Sequence, residues 1–436
     1  MKSPAFLKRL FTPAANTGSR ADRHTRRTVS LCHALLSERG EASGAALARE
    51  ALEAYRMLAG PALWAFFDVL AEEFSPDPEV VGQAADAYRQ DPSQANLIRL
   101  QEVTEPPRQE LFRRLNLASG GTAALVEMRR RLLNELKAQP HWAGIDADLA
   151  HLLSSWFNRG FLSLQRIDWR TPALVLEKLM QYEAVHEIQG WHDLRRRLAS
   201  DRRCFAFFHP ALPDEPIIFI EVALTKGMSD QVQPLLDPDS PVVDSAGATA
   251  AIFYSITNCQ EGLRGISFGN FLIKQVAEDL GREFPRLNTF ATLSPIPGFR
   301  KWLAESAATH GGLAELAGAL AEPDWIERAG PGTHVQLMRL CAYYLLHAKH
   351  DNEPADAVAR FHLGNGARME RLNWLADSSK SGMARSAGLM VNYVYRLKDV
   401  ERNHETYANK HLVVASPGLA LLARDSLLAR TATKRR

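Results

Sequence analysis

One stretch of the sequence, from Phe253 to Leu303, restricts the possible folds more than any other part of the chain. A β-prone apolar run at 250–256 leads into a loop with three glycines, an amphipathic helical pattern of about a dozen residues, and a second β-prone run. This second run ends at 294–298 in the tight-turn sequence Ser-Pro-Ile-Pro-Gly. The stretch therefore predicts a strand, a glycine loop, a helix and a strand in direct succession, within a domain that mixes helices and strands.

The glycine loop is a candidate phosphate site, because such a loop at a helix start presents backbone N–H groups to an anion. Gly262, Gly265 and Gly269 follow neither the GxGxxG nor the GxxxxGK[ST] spacing. The spacing alone leaves a phosphate site and a structural turn equally open. Arg264 in the loop and Lys274 on the next helix favour an anion, although both charges could also be solvated at the surface.

Ser294 is the second candidate in this stretch, because it carries a hydroxyl into a turn that two prolines stiffen. The loop and this serine are close in sequence, so one extended phosphorylated ligand could touch both. A serine before proline is also ordinary turn chemistry, and no GxSxG nucleophile elbow surrounds it. The spacing of the residues does not decide between these two interpretations.

The composition excludes several classes of protein. A chain of 436 residues, 46% hydrophobic and 23% charged, is typical of a globular protein with roughly two or three domains. Its net charge of +2 gives no overall field that would attract nucleic acid. No apolar run approaches the ~18 residues of a membrane-spanning helix, so we expect a soluble protein. The four cysteines, Cys32, Cys204, Cys259 and Cys341, are scattered along the chain. They predict a protein of a reducing compartment that has neither a zinc ribbon nor a disulfide framework.

The N-terminal segment, residues 1–28, is rich in lysine and arginine and has Asp22 as its one acid. This composition is typical of a mitochondrial transit peptide, but it is equally found in flexible basic tails. We expect a flexible tail, because Pro4, Pro13 and Gly18 interrupt any amphipathic helix.

Two domains follow: a helical one at 29–159, suited to packing or oligomerisation, and a mixed α/β one at 160–436. Between 34 and 74 the only expected break is at Gly60-Pro61. In the second domain the order strand, helix, three strands, helix, strand fits neither a doubly wound fold nor a barrel. The predicted elements are a long helix from 171 to about 200, a hairpin of strands 204–208 and 217–224, and helices within 302–349, 369–376, 388–397 and 412–428.

Three histidines are candidates for chemistry. His362 precedes a glycine-flanked turn, where it could act in catalysis or equally be a core histidine bonded to a carbonyl. His347 and His350 have a spacing that would suit metal ligands on a helix. No carboxylate lies at a matching spacing, so we interpret both as surface residues and predict no metal site.

Longer motifs give the chain a family resemblance. They are FFHPALPDEPIIFIEVALT (207–225), GLRGISFGNFLIK (262–274), TFATLSPIPGFRKWL (289–303), FHLGNGARMERLNWLADSS (361–379) and GLMVNYVY (388–395). Together they resemble the malonyl-CoA decarboxylase family over most of residues 160–415, and the helical N-terminal region is similar to that family's layout. Several long motifs in the same order make this resemblance more specific than the glycine loop alone.

The resemblance implies an α+β multidomain fold. In it an all-helical N-terminal oligomerisation domain precedes a catalytic domain similar to the GNAT acetyltransferase superfold, with additional C-terminal helices. It implies that Ser294 and His362 are the catalytic pair. It also implies that the pyrophosphate of coenzyme A binds at the glycine loop, with the substrate-binding residues Arg264, Gly265, Ile266, Ser267, Phe268, Gly269, Asn270 and Ile273.

The same resemblance implies malonyl-CoA as substrate, a homo-oligomer that could be a tetramer, a cytoplasmic location, and neither nucleic acid nor membrane as a partner. No cofactor is needed, because the thioester itself accepts the electron pair that CO2 leaves behind. We expect His362, at a near-neutral pKa, to donate the proton and Ser294 to hydrogen-bond the carbonyl or carboxylate of the substrate. Two other functions stay open: a coenzyme A-dependent acyltransferase and a non-catalytic coenzyme A-binding scaffold.

Overall fold

The structure is a computed structural model that falls into two compact units. It describes residues 20–266, 268, 272–322, 324–330 and 332–429. The helical unit is the chain up to Leu162 with 209–213 and 260–268, and the sheet unit is 163–208, 214–259 and the chain from 269 onward. Within the described ranges, no helix is both long enough and apolar enough to cross a membrane.

The helical unit confirms the predicted helical N-terminal region. Its α-helices are α1 (Arg20–Ser37), α2 (Glu41–Arg56), α3 (Pro61–Glu72), α4 (Pro78–Gln90), α5 (Gln94–Thr104), α6 (Pro107–Asn116), α7 (Gly121–Glu135) and α8 (Ala143–Trp156). Several starts follow sequence signals, since Pro61, Pro78 and Pro107 each stand at the beginning of a helix and Asp77 caps α4 by accepting the Glu79 N–H. Fully buried aromatic rings fill the core, among them Phe67, Phe112, Trp142 and Phe157.

One break in the helical unit contradicts the sequence prediction. Helix α1 ends at Ser37 and α2 begins at Glu41, whereas a single break at Gly60-Pro61 was expected in this region. The Glu38 carboxylate accepts hydrogen bonds from the N–H groups of the next two residues, each at 2.9 Å. This local bonding competes with the helical hydrogen bonds and ends α1 early.

The sheet unit is built on a mixed sheet whose strand order, over the described residues, is β1-β2-β3-β4-β5-β10-β6, with β9 paired to β10. Strands β4 and β5 are parallel, and the other pairings are antiparallel. The predicted hairpin is confirmed as the β2–β3 pair. The bounds are β1 (Ser163–Ile167), β2 (Arg202–Phe208), β3 (Pro216–Thr225), β4 (Ala250–Asn258), β5 (Thr289–Thr292), β6 (Ser294–Pro295), β9 (Arg368–Asn373) and β10 (Met390–Val394), with β7 (Lys349–His350) and β8 (Glu353–Pro354) as a separate pair.

The helices of the sheet unit connect these strands. They are α9 (Ala173–Tyr182), α10 (Trp191–Arg197), α11 (Gln233–Leu236), α12 (Leu272–Glu283), α13 (Phe299–Thr309), α14 (Ala314–Ala319), α15 (Trp325–Arg328), α16 (Thr333–His347), α17 (Ala357–Gly364), α18 (Lys380–Ser386), α19 (Val400–Lys410) and α20 (Pro417–Arg424). The predicted succession of strand, loop, helix and strand is confirmed as β4, α12 and β5. The helical pattern predicted from 302 to 349 is present as α13 to α16.

The single long helix predicted from 171 to about 200 is wrong, because a turn separates α9 from α10. Glu183, which is buried, ends α9, and its carboxylate accepts the N–H groups of Val185 and His186 at 2.8 and 2.9 Å. The same carboxylate accepts hydrogen bonds from the hydroxyls of Ser255 and Thr257 on β4. Tertiary contacts that the helical pattern does not reveal therefore break the helix.

The helices predicted at 369–376 and 388–397 are also wrong, since these segments form the antiparallel strands β9 and β10. Every residue of β10 is buried, and its sequence MVNYV is rich in β-branched and aromatic side chains. A short apolar run of this kind has the same appearance in a buried strand and in a buried helix. The predicted helix at 412–428 is shortened to α20, which begins after Ser416 caps it by accepting the Leu419 N–H.

Candidate active site

Ser294 lies in the sheet unit on β6, the two-residue strand that follows β5. It pairs with Val391 of β10, and its side chain is only 4% exposed. The Ser294 hydroxyl donates a hydrogen bond to Thr292 Oγ1 at 2.8 Å. That threonine oxygen also accepts the Tyr393 N–H at 3.1 Å, so the backbone of β10 fixes the partner of the serine.

His362 lies in the last turn of α17, a helix whose first turn is capped by Asp356 through the Ala359 N–H. The chain leaves this helix through Gly366, which has a φ of +80°. A Cβ at that position would be 2.1 Å from the Val400 carbonyl oxygen, so only glycine fits the turn. This close approach directs the chain into β9 and holds the end of α17 against Val400, the first residue of the later helix 400–410.

The structure brings Ser294 and His362 together, with 3.0 Å between Ser294 Oγ and His362 Nε2. On the other side of the ring, His362 Nδ1 is 2.8 Å from the Tyr395 hydroxyl. Because the serine gives its hydrogen to Thr292, Nε2 carries the ring proton and donates it to Ser294 Oγ. Nδ1 is then an acceptor for the Tyr395 O–H, and the four groups form one directional chain.

The His362 ring is almost completely buried and stacks on Tyr393, with 4.4 Å between ring centroids and 25° between planes. Burial alone lowers the pKa of His362 from its usual 6.5 to about 3. Over the described residues, no charged side chain hydrogen-bonds to His362 or Ser294. The near-neutral pKa expected for His362 is therefore wrong, because burial keeps the imidazole uncharged near neutral pH.

Tyr395, Thr292 and Asn392 are functional candidates that sequence reasoning missed. The Asn392 amide donates to the Thr292 carbonyl at 2.7 Å and accepts from the Asn373 amide at 2.8 Å. It thereby ties β9 and β10 to the strand that leads to Ser294. The motif GLMVNYVY contains Asn392 and Tyr395, but its assignment to a helix hid the extended backbone that places these side chains.

The glycine loop begins, in the helical unit, with a tight turn at 263–266, closed by a 3.0 Å hydrogen bond from the Ile266 N–H to the Leu263 carbonyl. Arg264 has φ −57° and ψ 131°, and Gly265 has a φ of +81°. These values are those of a type II turn, which requires a positive φ at its third residue and so explains Gly265. Arg264 and Gly265 are exposed.

The other predicted loop residues divide into two groups. Ile266 and Phe268 are buried, and Ile273 on α12 in the sheet unit is completely buried. The predicted Ser267, Gly269 and Asn270 lie outside the described residues.

No cluster of three or more metal-ligating side chains occurs within the described part of the chain. His347 and His350 are both exposed, as expected for surface residues, and partial desolvation and the charge of Lys349 lower the pKa of His347. All four cysteines are free and buried. Burial raises the pKa of the Cys32 thiol to about 12, which makes it a poor nucleophile.

Known protein families match parts of both the helical and the sheet unit. The family model described as the malonyl-CoA decarboxylase C-terminal domain matches residues 160–433, and the one described as the malonyl-CoA decarboxylase N-terminal domain matches residues 74–157. The chain belongs to the malonyl-CoA decarboxylase family. The predicted family resemblance is thereby confirmed, and it extends from the C-terminal region into the helical region.

Relatives in this family are similar over most of their length. A mitochondrial malonyl-CoA decarboxylase from Anser anser anser is 37% identical over 395 residues, covering 81% of this chain and 78% of that protein. The mitochondrial malonyl-CoA decarboxylase of Mus musculus is 38% identical over 358 residues, covering 74% and 73%. Among solved structures, the malonyl-CoA decarboxylase of Rhodopseudomonas palustris matches with a TM-score of 0.87 at 49% identity, covering 91% of this chain and 98% of that one. That of Agrobacterium vitis has a TM-score of 0.84, also at 49% identity, and covers 91% and 99%.

Proposed function

We propose that this chain is a malonyl-CoA decarboxylase in which Ser294 and His362 carry out the chemistry. It converts malonyl-CoA into acetyl-CoA and CO2. The observation that supports these two residues is their contact, 3.0 Å between Ser294 Oγ and His362 Nε2, inside a buried and uncharged site of a chain in this family. The serine and the histidine come from segments 68 residues apart, and both side chains are oriented by further hydrogen bonds.

The reaction places three demands on the protein. The carboxylate of malonyl-CoA is β to a thioester carbonyl, so the electron pair of the breaking C–C bond moves into that carbonyl and forms an enolate. The site has to hold that bond perpendicular to the carbonyl plane. It has to offer hydrogen-bond donors to the developing oxyanion, where one fixed donor is typically worth about 3 kcal/mol. It also has to deliver a proton to the α-carbon.

His362 meets the third demand through a change of charge when substrate binds. The malonyl carboxylate brings a negative charge beside an imidazole that is neutral in the free site, and this charge raises the pKa of the imidazole. His362 then takes up a proton from solvent at Nδ1 as the substrate enters, and the Tyr395 hydroxyl rotates to accept a hydrogen bond from it. After CO2 leaves, the Nε2 proton passes, through the Ser294 hydroxyl, to the α-carbon of the enolate, which leaves His362 neutral with its remaining proton on Nδ1. Exchange with solvent then moves the ring proton back to Nε2 and restores the starting form.

Tyr395 and Thr292 orient the two groups of this proton path before substrate binds. The Tyr395 hydroxyl lies 2.8 Å from His362 Nδ1, where it favours the tautomer with the proton on Nε2. The Ser294 hydroxyl donates to Thr292 at 2.8 Å, and this hydrogen bond has to break when the serine turns toward the substrate.

We propose that the glycine loop binds the pyrophosphate of coenzyme A. The type II turn and the exposed Arg264 support this role, since they offer backbone N–H groups and a guanidinium to an anion. The proposed binding residues are Arg264, Gly265, Ile266, Ser267, Phe268, Gly269 and Asn270, with Ile273 close to the ligand.

We also propose the assignment of the remaining parts. Residues 29–159 form the oligomerisation domain of a homo-oligomer, and 160–436 form a catalytic domain similar to the GNAT superfold, a likeness that the parallel β4–β5 pair supports. The location is cytoplasmic, with mitochondrial targeting by the basic residues 1–28 as the alternative. Light scattering and fractionation of cells that express a fluorescent fusion test these two assignments.

One assay tests the activity: the purified chain is incubated with malonyl-CoA alone, and CO2 and acetyl-CoA are measured. A decarboxylase produces both without any acceptor. An acyltransferase needs an amine or alcohol, and a scaffold binds coenzyme A without turnover, so either result would refute the proposal. Ser294→Ala and His362→Asn should each lower kcat by more than about a hundredfold while coenzyme A still binds. Near-native turnover in both variants would reject this pair.

A further inference from the structure

Arg129 is a buried arginine whose side chain holds the start of the glycine loop. It lies on α7 and is only 4% exposed. Its Nη1 donates to the carbonyl oxygens of Gly262 at 2.8 Å and of Arg264 at 2.9 Å. Its Nε donates to Asp146 on α8 at 2.8 Å, which fixes the plane of the guanidinium. All of these residues belong to the helical unit.

Gly262 shows how closely the loop is fitted to α7. A Cβ at this position would be 2.0 Å from the carbonyl oxygen of Val126, a residue of the same helix. Only glycine allows the two backbones to approach so closely. The neighbouring Leu263 is completely buried, so the loop start is anchored by packing as well as by hydrogen bonds.

The hydrogen bond to Arg264 sets the orientation of the peptide at the centre of the type II turn. In a planar trans peptide the C=O and the N–H point in opposite directions. Arg129 draws the Arg264 carbonyl toward α7, so the N–H of Gly265 points away from that helix. Gly265 is exposed, and a Cβ there would meet no atom within 4 Å, so this N–H lies on an open side of the turn.

We propose that Arg129 is a positioning residue for pyrophosphate binding, which makes the helical unit part of substrate recognition as well as of assembly. This inference rests on the proposed function of the glycine loop. Arg129 does not touch the ligand. It fixes the turn so that the Gly265 N–H and the Arg264 side chain are oriented for an anion before the substrate arrives.

The test compares two substrates: malonyl-CoA, and malonyl-pantetheine, which has the same thioester but no pyrophosphate. Arg129→Met should raise KM for malonyl-CoA about tenfold, because charge-assisted hydrogen bonds that order the turn are lost. kcat should stay within about twofold, and kcat/KM for malonyl-pantetheine should not change, since that substrate does not reach the loop.

Arg131→Met is the matched control. Arg131 is on the same helix, is partly buried, and donates to the Leu58 carbonyl with its guanidinium over the Tyr55 ring. It hydrogen-bonds none of the described loop carbonyls, so this variant should keep the native ratio of kcat/KM for the two substrates. Arg131→Met therefore measures any general effect of removing an arginine from α7.

Asp146→Asn is a milder second variant, in case Arg129→Met does not fold. It leaves the arginine in place but weakens the hydrogen bond that orients it, so KM for malonyl-CoA should rise about threefold. If kcat/KM fell equally for malonyl-CoA and malonyl-pantetheine in the Arg129 or Asp146 variants, Arg129 would have a merely structural role and the inference would be overturned. Failure of the proposed function looks different, because the native chain would then not decarboxylate malonyl-CoA or would not prefer it to malonyl-pantetheine.

Discussion

The burial of His362 should make the stability of the protein depend on pH in a way that one substitution removes. Its pKa is about 3 in the folded chain, against about 6.5 in the unfolded chain. Between these two values the unfolded chain binds a proton at this histidine and the folded chain does not. The free energy of unfolding therefore falls as the pH drops below about 6.5, and this contribution is absent above that value.

The magnitude follows from the distance between the pH and the unfolded-state pKa. At pH 5 that distance is about 1.5 units, and at 1.36 kcal/mol per unit the neutral, buried imidazole lowers the free energy of unfolding by about 2 kcal/mol. At pH 7.5 the corresponding loss is about 0.1 kcal/mol or less. His362→Asn has no titrating group at this position, so it should lack this part of the pH dependence.

Urea unfolding of the native chain and of His362→Asn at pH 7.5 and at pH 5 measures this difference. Between pH 7.5 and pH 5, the free energy of unfolding of the native chain should fall by about 2 kcal/mol more than that of the variant. Any general effect of the substitution occurs at both pH values and cancels. Ser294→Ala disturbs the same cluster without removing a titrating group, so it should keep the native pH dependence. Equal losses in the native chain and in His362→Asn would show that the imidazole is not held neutral by burial.

Two further substitutions test the arrangement around His362. Tyr395→Phe removes the hydroxyl 2.8 Å from Nδ1, so kcat should fall about tenfold, as expected for one lost hydrogen bond, while KM for malonyl-CoA stays the same in steady-state assays. An unchanged kcat would mean that the tyrosine does not set the tautomer. Gly366→Ala adds a Cβ 2.1 Å from the Val400 carbonyl at a positive φ, so urea unfolding should show a loss of about 2 to 4 kcal/mol. Its control is Gly364→Ala, where the added Cβ meets no atom within 4 Å; a similar loss in both would exclude the clash as the cause.

The sequence predicts the parts of this fold that depend on local patterns. The helical N-terminal region, the β2–β3 hairpin and the succession of β4, α12 and β5 all follow from hydrophobic period and turn residues. Strand β10 does not, because every one of its residues is buried and no alternation marks it as a strand. Its pairing with β5, β6 and β9 determines its conformation; β5 and β6 are distant in sequence, and β9 is separated from it by α18.

The candidate site was only partly predictable for the same reason. Ser294 and His362 were proposed from motifs that resemble a family, and no pattern along the chain indicated that they lie 3.0 Å apart. Tyr395 was missed because its segment was assigned to a helix. The neutral state of His362 could not be read from the sequence, since it depends on the uncharged hydroxyls and rings that surround it in the folded protein.

Under the proposed function, malonyl-CoA brings a negative charge to a site where no described hydrogen-bond partner of Ser294 or His362 carries a charge. The side chains that hydrogen-bond to Ser294 and His362, those of Thr292 and Tyr395, are uncharged. A carboxylate transferred from water into such surroundings is unfavourable unless an opposite charge forms beside it. Proton uptake by His362 supplies that charge, and loss of neutral CO2 removes the buried carboxylate.

Substrate affinity should therefore depend on pH, whereas product affinity should not. In a Ser294→Ala variant, whose slowed turnover allows malonyl-CoA binding to be measured, Kd should fall by up to about tenfold for each unit that the pH is lowered from 8.5, because one proton is bound with the ligand. Acetyl-CoA lacks the carboxylate, so its Kd on the same variant should stay constant over this range. Titration calorimetry in buffers of different ionisation enthalpy counts the protons directly. If malonyl-CoA and acetyl-CoA show the same pH dependence, the carboxylate does not charge His362, and the proton for the α-carbon has to come from another group.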